Sequence, residues 1–494
     1  MGLTEGLIII AVVLLLCVTS SKLLYRFGVP TLLIFMVLGM VFGSDGLVGI
    51  EFDNYELARK ICSVGLIFIM FYGGFGTSWR TAKPVIGPAV CMSTLGVVIT
   101  AGLTGVFCHL ILHCSWLEGL LIGSVVASTD AASVFAILRS RKLNLKGGLA
   151  PLLEVESGSN DPFAYMLTMI MVMLIKGEGA GSIPLMLVLQ LAVGLGIGFG
   201  FAKLAAMVLR RINLEIDGLY PIFVTAVVVL GYALSEYLGG NGYLCVYIIG
   251  IVLGNSRIMH KRSLVHFFDG ISWVMQIMLF FTLGLLAFPS QMPQIIVPGI
   301  LVSIFMIVVA RPLATFSILS WFKIPFKQQL LVSWVGLRGA ASIVFAIYAV
   351  ANHAPLKGDI FHMVFFVALF SVAVQGTLIP RLAKTLGLVE KESSVFKTFT
   401  DYQEENQTKL LEYRIHPHSP WANKTIIEAE IPEEILVVMV KRGRDVVVPK
   451  GSTLIKVGDT LVLSGQNFKV LRNLRQDKQH KHPKDAPPSI GEGG

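Results

Sequence analysis

Thirteen long stretches almost free of charge dominate this chain and leave few folds open to it. They run approximately over 3–24, 29–45, 57–76, 84–112, 116–138, 149–175, 182–209, 219–238, 242–256, 266–288, 293–320, 326–350 and 359–386. Runs of about 20 apolar residues match the thickness of a bilayer's hydrocarbon core. Backbone placed in lipid must satisfy its own hydrogen bonds, which selects helices. Composition agrees. Of 494 residues 54% are hydrophobic and 14% charged, and the mean hydropathy is +0.73, whereas soluble domains carry about 25% charged residues. The expected fold is an all-α polytopic membrane protein with a small α+β domain appended at its C-terminal end. The first stretch has no positive flank before it, so it reads as a membrane helix rather than a cleaved signal.

The net charge of +9 could point to nucleic acid, but the basic residues lie between the apolar spans. They concentrate in alternate loops, including Lys22 and Arg26, Arg80 and Lys83, Arg139 to Lys146, Arg210 and Arg211, Arg257 to Arg262, Lys323 and Lys327, and Arg381 and Lys384. The opposite loops have little beyond Arg59, Lys60, Lys176 and Lys357. Lysine and arginine accumulate on the cytoplasmic side. This orientation puts the N-terminus outside and the C-terminus in the cytoplasm, with no nucleic-acid partner. Six cysteines lie in or beside apolar runs without metal-ligand spacing, and read as membrane-core residues.

Two spans are polar at their centres. The fifth contains Ser128-Thr129-Asp130-Ala131-Ala132-Ser133, and the twelfth Gly336-Leu337-Arg338-Gly339-Ala340-Ala341-Ser342. Both carry Ala-Ala-Ser, and seven spans of separation make them cross in opposite directions. That pattern suggests an inverted repeat, helices 1–6 against 8–13, with two broken helices meeting at mid-membrane. Half-helix ends leave N–H and C=O groups unpaired, so Asp130 suits the positive ends and Arg338 the negative ones. A packing seam of small residues accounts for the glycines and alanines, but not for a carboxylate and a guanidinium.

The sixth span opens with Glu156-Ser157-Gly158-Ser159-Asn160-Asp161-Pro162. Such a group fits a soluble helix cap. Inside a membrane span each charge costs roughly 3 kcal/mol or more and marks a functional position. In helical spacing Ser157 and Asp161 share a face, Glu154 lies on nearly the same stripe, and Glu156 pairs with Asn160. Pro162 removes the donor for the carbonyl of Gly158. These are hard oxygen ligands of the kind alkali cations prefer. A proton and a cation would compete for Asp161. Arg338 is assigned to Glu156 as a structural ion pair, which leaves Asp161 as carrier; Arg311 and Glu154 are accessory candidates.

After residue 388 the composition changes. The expected domains are 1–388 in the membrane, a linker at 389–410, a regulatory domain at 411–474 and a disordered tail at 475–494. Alternating segments at Leu411–Ile415, Ile435–Val440, Val446–Pro449 and Thr460–Ser464 read as strands, with Ile426–Ile431 as a short connecting element.

Thr129-Asp130, Glu156-Ser157-x-x-Asn160-Asp161-Pro162 and Gly336-Leu337-Arg338-Gly339, in this order on these spans, resemble the bacterial and archaeal NhaP-type monovalent cation/proton antiporters. The resemblance covers the membrane region. It implies a thirteen-helix homodimer in the bacterial inner or plasma membrane, with a six-helix transport core and elevator-like alternating access. Asp161 would be the shared cation and proton carboxylate, with Thr129, Asp130 and Ser157 around the ion. Asn160, where other members carry a second acid, implies electroneutral one-for-one exchange. Where many relatives read Phe-(Asp/Glu)-Gly-Gly, this chain has Phe71-Tyr72-Gly73-Gly74, so Tyr72 is expected to be accessory or merely packed. The C-terminal segment resembles the TrkA-C, or RCK C-terminal, module at Ile431-Pro432-Glu433, Val448 to Thr453 and Val457-Gly458-Asp459. Similar modules dimerise, and some bind cyclic di-AMP.

The combined reading is an antiporter, not an enzyme, without a resident cofactor. It moves K⁺ (or Na⁺) out against H⁺ in for cation, pH or volume homeostasis under control of its tail. The alternatives are an Na⁺(Li⁺)/H⁺ antiporter that does not carry K⁺, a gated cation channel, and an intramembrane aspartyl protease using Asp130 and Asp161. No Thr-Val-Gly-Tyr-Gly filter supports the channel, and Asp161 follows Ser159-Asn160 rather than the Gly-x-Gly expected of the protease.

Overall fold

A computed structural model describes residues 2–24, 31–390 and 409–465, apart from the single positions 142, 178, 179, 213, 259, 357, 418, 433, 434 and 444. Most of the expected linker and the whole expected tail lie outside the described residues. The chain divides into two units, Met1–Phe399 and Thr400–Gly494.

The first unit is helical: α1 (Leu3–Leu24), α2 (Thr31–Phe42), α3 (Tyr55–Gly76), α4 (Trp79–Ala82), α5 (Ile86–Cys91), α6 (Val97–Leu112), α7 (Trp116–Val126), α8 (Ala131–Ser140), α9 (Leu149–Lys176), α10 (Ile183–Arg211), α11 (Leu219–Tyr237), α12 (Gly242–Gly254), α13 (Lys261–Leu285), α14 (Met292–Phe305), α15 (Arg311–Leu319), α16 (Phe326–Trp334), α17 (Ala340–Ala351), α18 (Ile360–Phe370) and α19 (Thr377–Thr385). Among the described residues seven continuous helical stretches are long and apolar enough to cross a membrane, and an eighth if the bent pair α7 and α8 forms one span. The 28-residue α9 falls outside that set because its first half holds the polar cluster. Large apolar side chains of α10, α11 and α14 are exposed, as befits surfaces that face lipid.

Several spans are not uniform helices. The chain loosens into single π-helical turns at Met92–Gly96, Met306–Ala310 and Ser371–Gly376. Such turns shift the register of the adjoining helix and recur at functional sites. Here they precede Arg311 and include Ser371 and Gln375. Helices approach closely at small residues, as membrane helices do without a hydrophobic driving force between them. A Cβ on Gly39 of α2 would lie 2.7 Å from the Cα of Gly284 in α13, so neither position admits a side chain without moving the helices apart.

The second unit is a four-stranded antiparallel sheet in the order β1-β4-β2-β3, built from β1 (Lys409–Arg414), β2 (Ile435–Arg442), β3 (Asp445–Val447) and β4 (Thr460–Gly465). Ile415, Trp421, Ile435, Val440, Leu461 and Leu463 form its core. The α part of the expected α+β domain is corrected. Ile426–Ile431 is turn, and the described residues of this unit contain no helix. Six residues ending at a proline are too few to recover the cost of nucleating a helix.

Candidate functional site

Two helices break where the sequence turned polar. α7 ends at Val126 and α8 starts at Ala131, with a bend of 41° between them. α16 ends at Trp334 and α17 starts at Ala340. The non-helical segments touch: the backbone N–H of Asp130 donates to the carbonyl of Leu337 at 2.8 Å. Gly339 allows this approach, because a Cβ there would fall 2.4 Å from the Cβ of Asp130. Asp130 is the N-cap of α8. Its Oδ1 accepts the N–H of Ser133 at 3.1 Å, and its Oδ2 accepts the Ser133 hydroxyl.

α9 runs past this crossing unbroken, with Pro162 inside it. The Ser157 hydroxyl donates to the carbonyl of Thr129 at 2.8 Å and accepts the N–H of Ala131 at 2.9 Å, so it satisfies both ends of the break in α7–α8. The Asn160 amide donates to the Thr129 hydroxyl at 2.5 Å. Among the described residues its buried Oδ1 has no partner. One turn on from Ser157, the Asp161 carboxylate accepts the Ser128 hydroxyl through Oδ1 and is 9% exposed. The helical spacing on α9 and the break after Val126 therefore bring Asp161, Asn160, Ser157, Thr129 and Asp130 together.

The expected partner of Glu156 is corrected. Its carboxylate takes Arg311 Nη2 at 2.5 Å, and the two side chains are 1% and 4% exposed. The π-turn at Met306–Ala310 ends α14 and carries Arg311 at the head of α15 towards α9. Arg338 instead donates from Nη1 to the carbonyl of Ser128 at 3.0 Å, and its backbone N–H donates to the Ser371 hydroxyl at 3.2 Å. A guanidinium beside an opened helix end finds unpaired carbonyls closer than any carboxylate. Gln375 closes the second break by donating to the carbonyl of Trp334 at 2.5 Å. A cavity of about 10 Å³ lies between Arg311, Arg338, Ser371 and Gln375, near the lower limit for one water.

Glu154 is half-buried two turns before Asp161. Tyr72 lies outside this cluster, and its hydroxyl donates to Asp269 Oδ1 at 2.9 Å. Sequence reasoning missed Ser128, which joins Arg338 through its carbonyl to Asp161 through its hydroxyl. A third hydroxyl-bearing residue beside Thr129-Asp130 was the available signal. It also missed Tyr247, whose ring covers Gly158 on α9.

The arrangement is a buried carboxylate beside hydroxyl, carbonyl and amide oxygens where the two helix breaks touch, with Asp130 as the second acid of the crossing. The unpartnered Asn160 Oδ1 strengthens that reading, since a buried acceptor left unsatisfied costs about 1–3 kcal/mol and an alkali cation or a water would satisfy it.

The transmembrane sodium/hydrogen exchanger family matches residues 9–385, and the TrkA-C domain matches residues 410–467. The K(+)/H(+) antiporter NhaP2 of Shewanella sp. (strain MR-4) is 34% identical over 496 residues, covering 99% of this chain and 85% of the relative. The K(+)/H(+) antiporter NhaP of Alkalimonas amylolytica is 33% identical over 462 residues, covering 92% and 80%. The solved structure of the sodium proton antiporter MjNhaP1 from Methanocaldococcus jannaschii at pH 8 superposes with a TM-score of 0.67 at 22% identity, covering 77% of this chain and 99% of that one; it supports the fold of the helical unit.

Proposed function

The chain belongs to the sodium/hydrogen exchanger family, and from that premise we propose that it is an electroneutral K⁺/H⁺ antiporter with Asp161 as its carrier. The observation that carries this is the Asp161 carboxylate buried against Ser128 at the crossing of two interrupted helices. Ionised, Asp161 binds a monovalent cation with help from Ser157, the Thr129 oxygens and Asn160 Oδ1. Protonated, it releases the cation. Asp130 holds the N-terminus of α8, and Glu156 with Arg311 braces the core. K⁺ is preferred to Na⁺ in this reading because relatives matching at 33–35% over nearly the whole chain carry K⁺/H⁺ names.

The finer architecture belongs to the same proposal. Thirteen spans form an inverted repeat, with the N-terminus outside and the basic loops in the cytoplasm of a bacterial inner membrane. The helices that carry the site, α7–α9 and α15–α17, move as part of a six-helix core against the remaining helices of a homodimer. The strand domain tunes transport in response to a ligand, for which cyclic di-AMP is the candidate. In this reading residues 1–388 transport and the C-terminal domain regulates.

Proteoliposomes with an acid interior and an internal pH dye test the carrier. External K⁺ is expected to alkalinise the interior of wild-type vesicles, with Na⁺ and Li⁺ weaker, and Asp161→Ala is expected to abolish the response. Normal exchange by Asp161→Ala would show that the carrier is elsewhere.

A further inference from the structure

Asp161 has a second flank, on the side of α9 that faces α12. A helix turns by about 100° per residue. On α9 Asp161 therefore points about 40° from Ser157, which meets the break between α7 and α8, and about 60° from Gly158, which meets α12. Two side chains of α12 stand along that flank. Asn241 donates from its amide to the carbonyl of Pro162 at 3.1 Å, and its Oδ1 accepts the N–H of Leu244 at 2.9 Å, so both ends of its side chain are engaged. Further along α12, Tyr247 lays its ring against Gly158. A Cβ at 158 would meet Cε2 of that ring at 2.3 Å and the phenol oxygen at 2.7 Å.

The ring is held in place from a third helix. A Cβ on Gly74 of α3 would lie 3.0 Å from Cδ2 of Tyr247. Glycines on two helices thus make room for one phenol between them, and Tyr247 is 2% exposed. Its hydroxyl nevertheless has no hydrogen-bond partner among the described residues. Ser159 and Thr77 are its polar neighbours, but the Thr77 hydroxyl donates to the carbonyl of Gly73 at 3.0 Å, and neither closes a bond with Tyr247. The adjoining carbonyl of Gly158 has lost its helical donor to Pro162. A buried hydroxyl without a partner destabilises the fold, and a phenylalanine would pack the same ring without that cost. An oxygen kept free at such a place calls for a ligand.

Distance favours the cation of Asp161. Cβ atoms three residues apart on a helix lie about 5–6 Å from each other, which puts the Tyr247 oxygen within roughly 9 Å of the Asp161 Cβ. A carboxylate, an alkali ion and a phenol oxygen in a row span such a length. Ser157, Gly158 and Ser159 are half-buried, so this face of α9 is not sealed by its neighbours.

We propose that the Tyr247 hydroxyl is a ligand of the transported monovalent cation, completing from α12 the set begun by Asp161, Ser157, Thr129 and Asn160. A neutral phenol can do so, because its oxygen offers lone pairs to the ion while its proton turns to the carbonyl of Gly158. In the antiport reading on which this rests, α12 lies outside the helices that carry the other ligands. The cation is then held across a seam between two groups of helices, whereas the proton is held by Asp161 alone. Tyr247 favours the cation in their competition for the carboxylate.

The test uses the full-length protein in everted vesicles, with half-saturating K⁺ and maximal rate read from dye dequenching at an ionic strength held constant with choline chloride. Tyr247→Phe keeps the ring and removes the oxygen. It is expected to raise half-saturating K⁺ roughly tenfold and to change the maximal rate far less. The thermal stability of the purified variant is expected to stay level or rise, because the hydroxyl bonds to no described residue. Unchanged half-saturation overturns the proposal. So does a loss of stability in step with the loss of affinity, which would make the hydroxyl a structural link. A second measurement keeps the hydroxyl: with meta-fluorotyrosine placed at position 247, K⁺ is expected to shift the fluorine resonance with a midpoint that follows half-saturating K⁺, and choline is expected to leave it in place. A resonance indifferent to K⁺ overturns the proposal whatever the fate of Tyr247→Phe. Wild-type vesicles without K⁺-dependent dequenching would instead defeat the antiport reading, and the fluorine titration would still decide whether Tyr247 meets the ion.

Discussion

Glu156 and Arg311 offer the sharpest test of how the transport core is held. Both side chains are almost fully excluded from solvent, and they meet at 2.5 Å. Replacing Arg311 by Leu leaves a buried carboxylate without its closest counter-charge, and breaking a pair of this kind costs about 3–5 kcal/mol. Removing both charges with Glu156→Leu in the same chain exchanges the pair for apolar packing, which is commonly neutral or stabilising by about 1–4 kcal/mol. The single variants should therefore be unstable and the double variant close to wild type, which amounts to an interaction energy of at least about 6 kcal/mol when each single change costs about 3 kcal/mol or more. Arg338 supplies the control. Its side chain donates to a backbone carbonyl and reaches Glu156 only through space, so a cycle of Glu156 with Arg338 should give a clearly smaller coupling than the cycle with Arg311. Unfolding free energies from steric trapping in bicelles measure both cycles on one scale. A larger coupling of Glu156 to Arg338 than to Arg311 would refute the pairing and restore the assignment made from the sequence.

The same contacts carry three further expectations. Ser128→Ala removes the hydroxyl that donates to Asp161 but keeps the carbonyl that receives Arg338; exchange should fall severalfold at normal expression, and an unaltered rate would make that bond incidental. Gly158→Ala places a Cβ 2.3 Å from the ring of fully buried Tyr247; transport should be lost with membrane insertion intact and should return when Tyr247→Ala is added, whereas full activity in the single variant contradicts tight contact there. In the strand unit, two hydrogen bonds from Arg442 hold the Asp459 carboxyl below the usual carboxylate range. A depressed pKa contributes stability that is present above the unfolded value of about 3.9 and is lost as pH falls below it. Protease resistance of this unit should therefore drop below about pH 4 in wild type and be reduced already at neutral pH in Arg442→Ala, and equal resistance in both would remove the pair from the stability account.

What the sequence made legible was local. Four-residue spacing put Ser157 and Asp161 on one face of α9, and polar residues in the middle of apolar runs located both breaks, because a helix interruption in a membrane needs side chains to satisfy its freed ends. What stayed hidden depended on packing between distant segments. Two guanidiniums were available to Glu156, and the one in the polar crossing, Arg338, was assigned to it with Arg311 as accessory; the structure pairs Arg311, which follows a π-turn at the head of α15, and register shifts of that kind leave no composition signal. Tyr72 read as a replacement that removed an acid, since Asp269 lies 197 residues away. Ser128 was visible but uninformative, because the direction of a side chain at a broken helix is set by the angle of the break.

The buried charges also bear on why such a carrier would not leak. Glu156 and Arg311 cancel within their pair. Arg338 remains, with Asp130 and Asp161 as the acids of the crossing, while Asn160 contributes none. Asp130 accepts hydrogen bonds at both oxygens as the N-cap of α8, which is the role of an anion. The cluster then sums to zero when Asp161 carries either a proton or a monovalent cation, and to one negative charge when it carries neither. Moving an uncompensated charge through a low-dielectric core costs several kcal/mol, so both loaded forms can cross and the empty form is held back. In the proposed mechanism that difference enforces one-for-one exchange. It requires the rate to be indifferent to membrane voltage: setting 0 or about −100 mV across proteoliposomes with gradients of a permeant anion, at the same K⁺ concentrations in both cases, should leave the initial rate of exchange unchanged. A unit charge moved across the whole field would be worth about 2.3 kcal/mol per 100 mV, a difference that such an assay cannot miss, and seeing it would show that Asp130 is protonated or that a second cation travels.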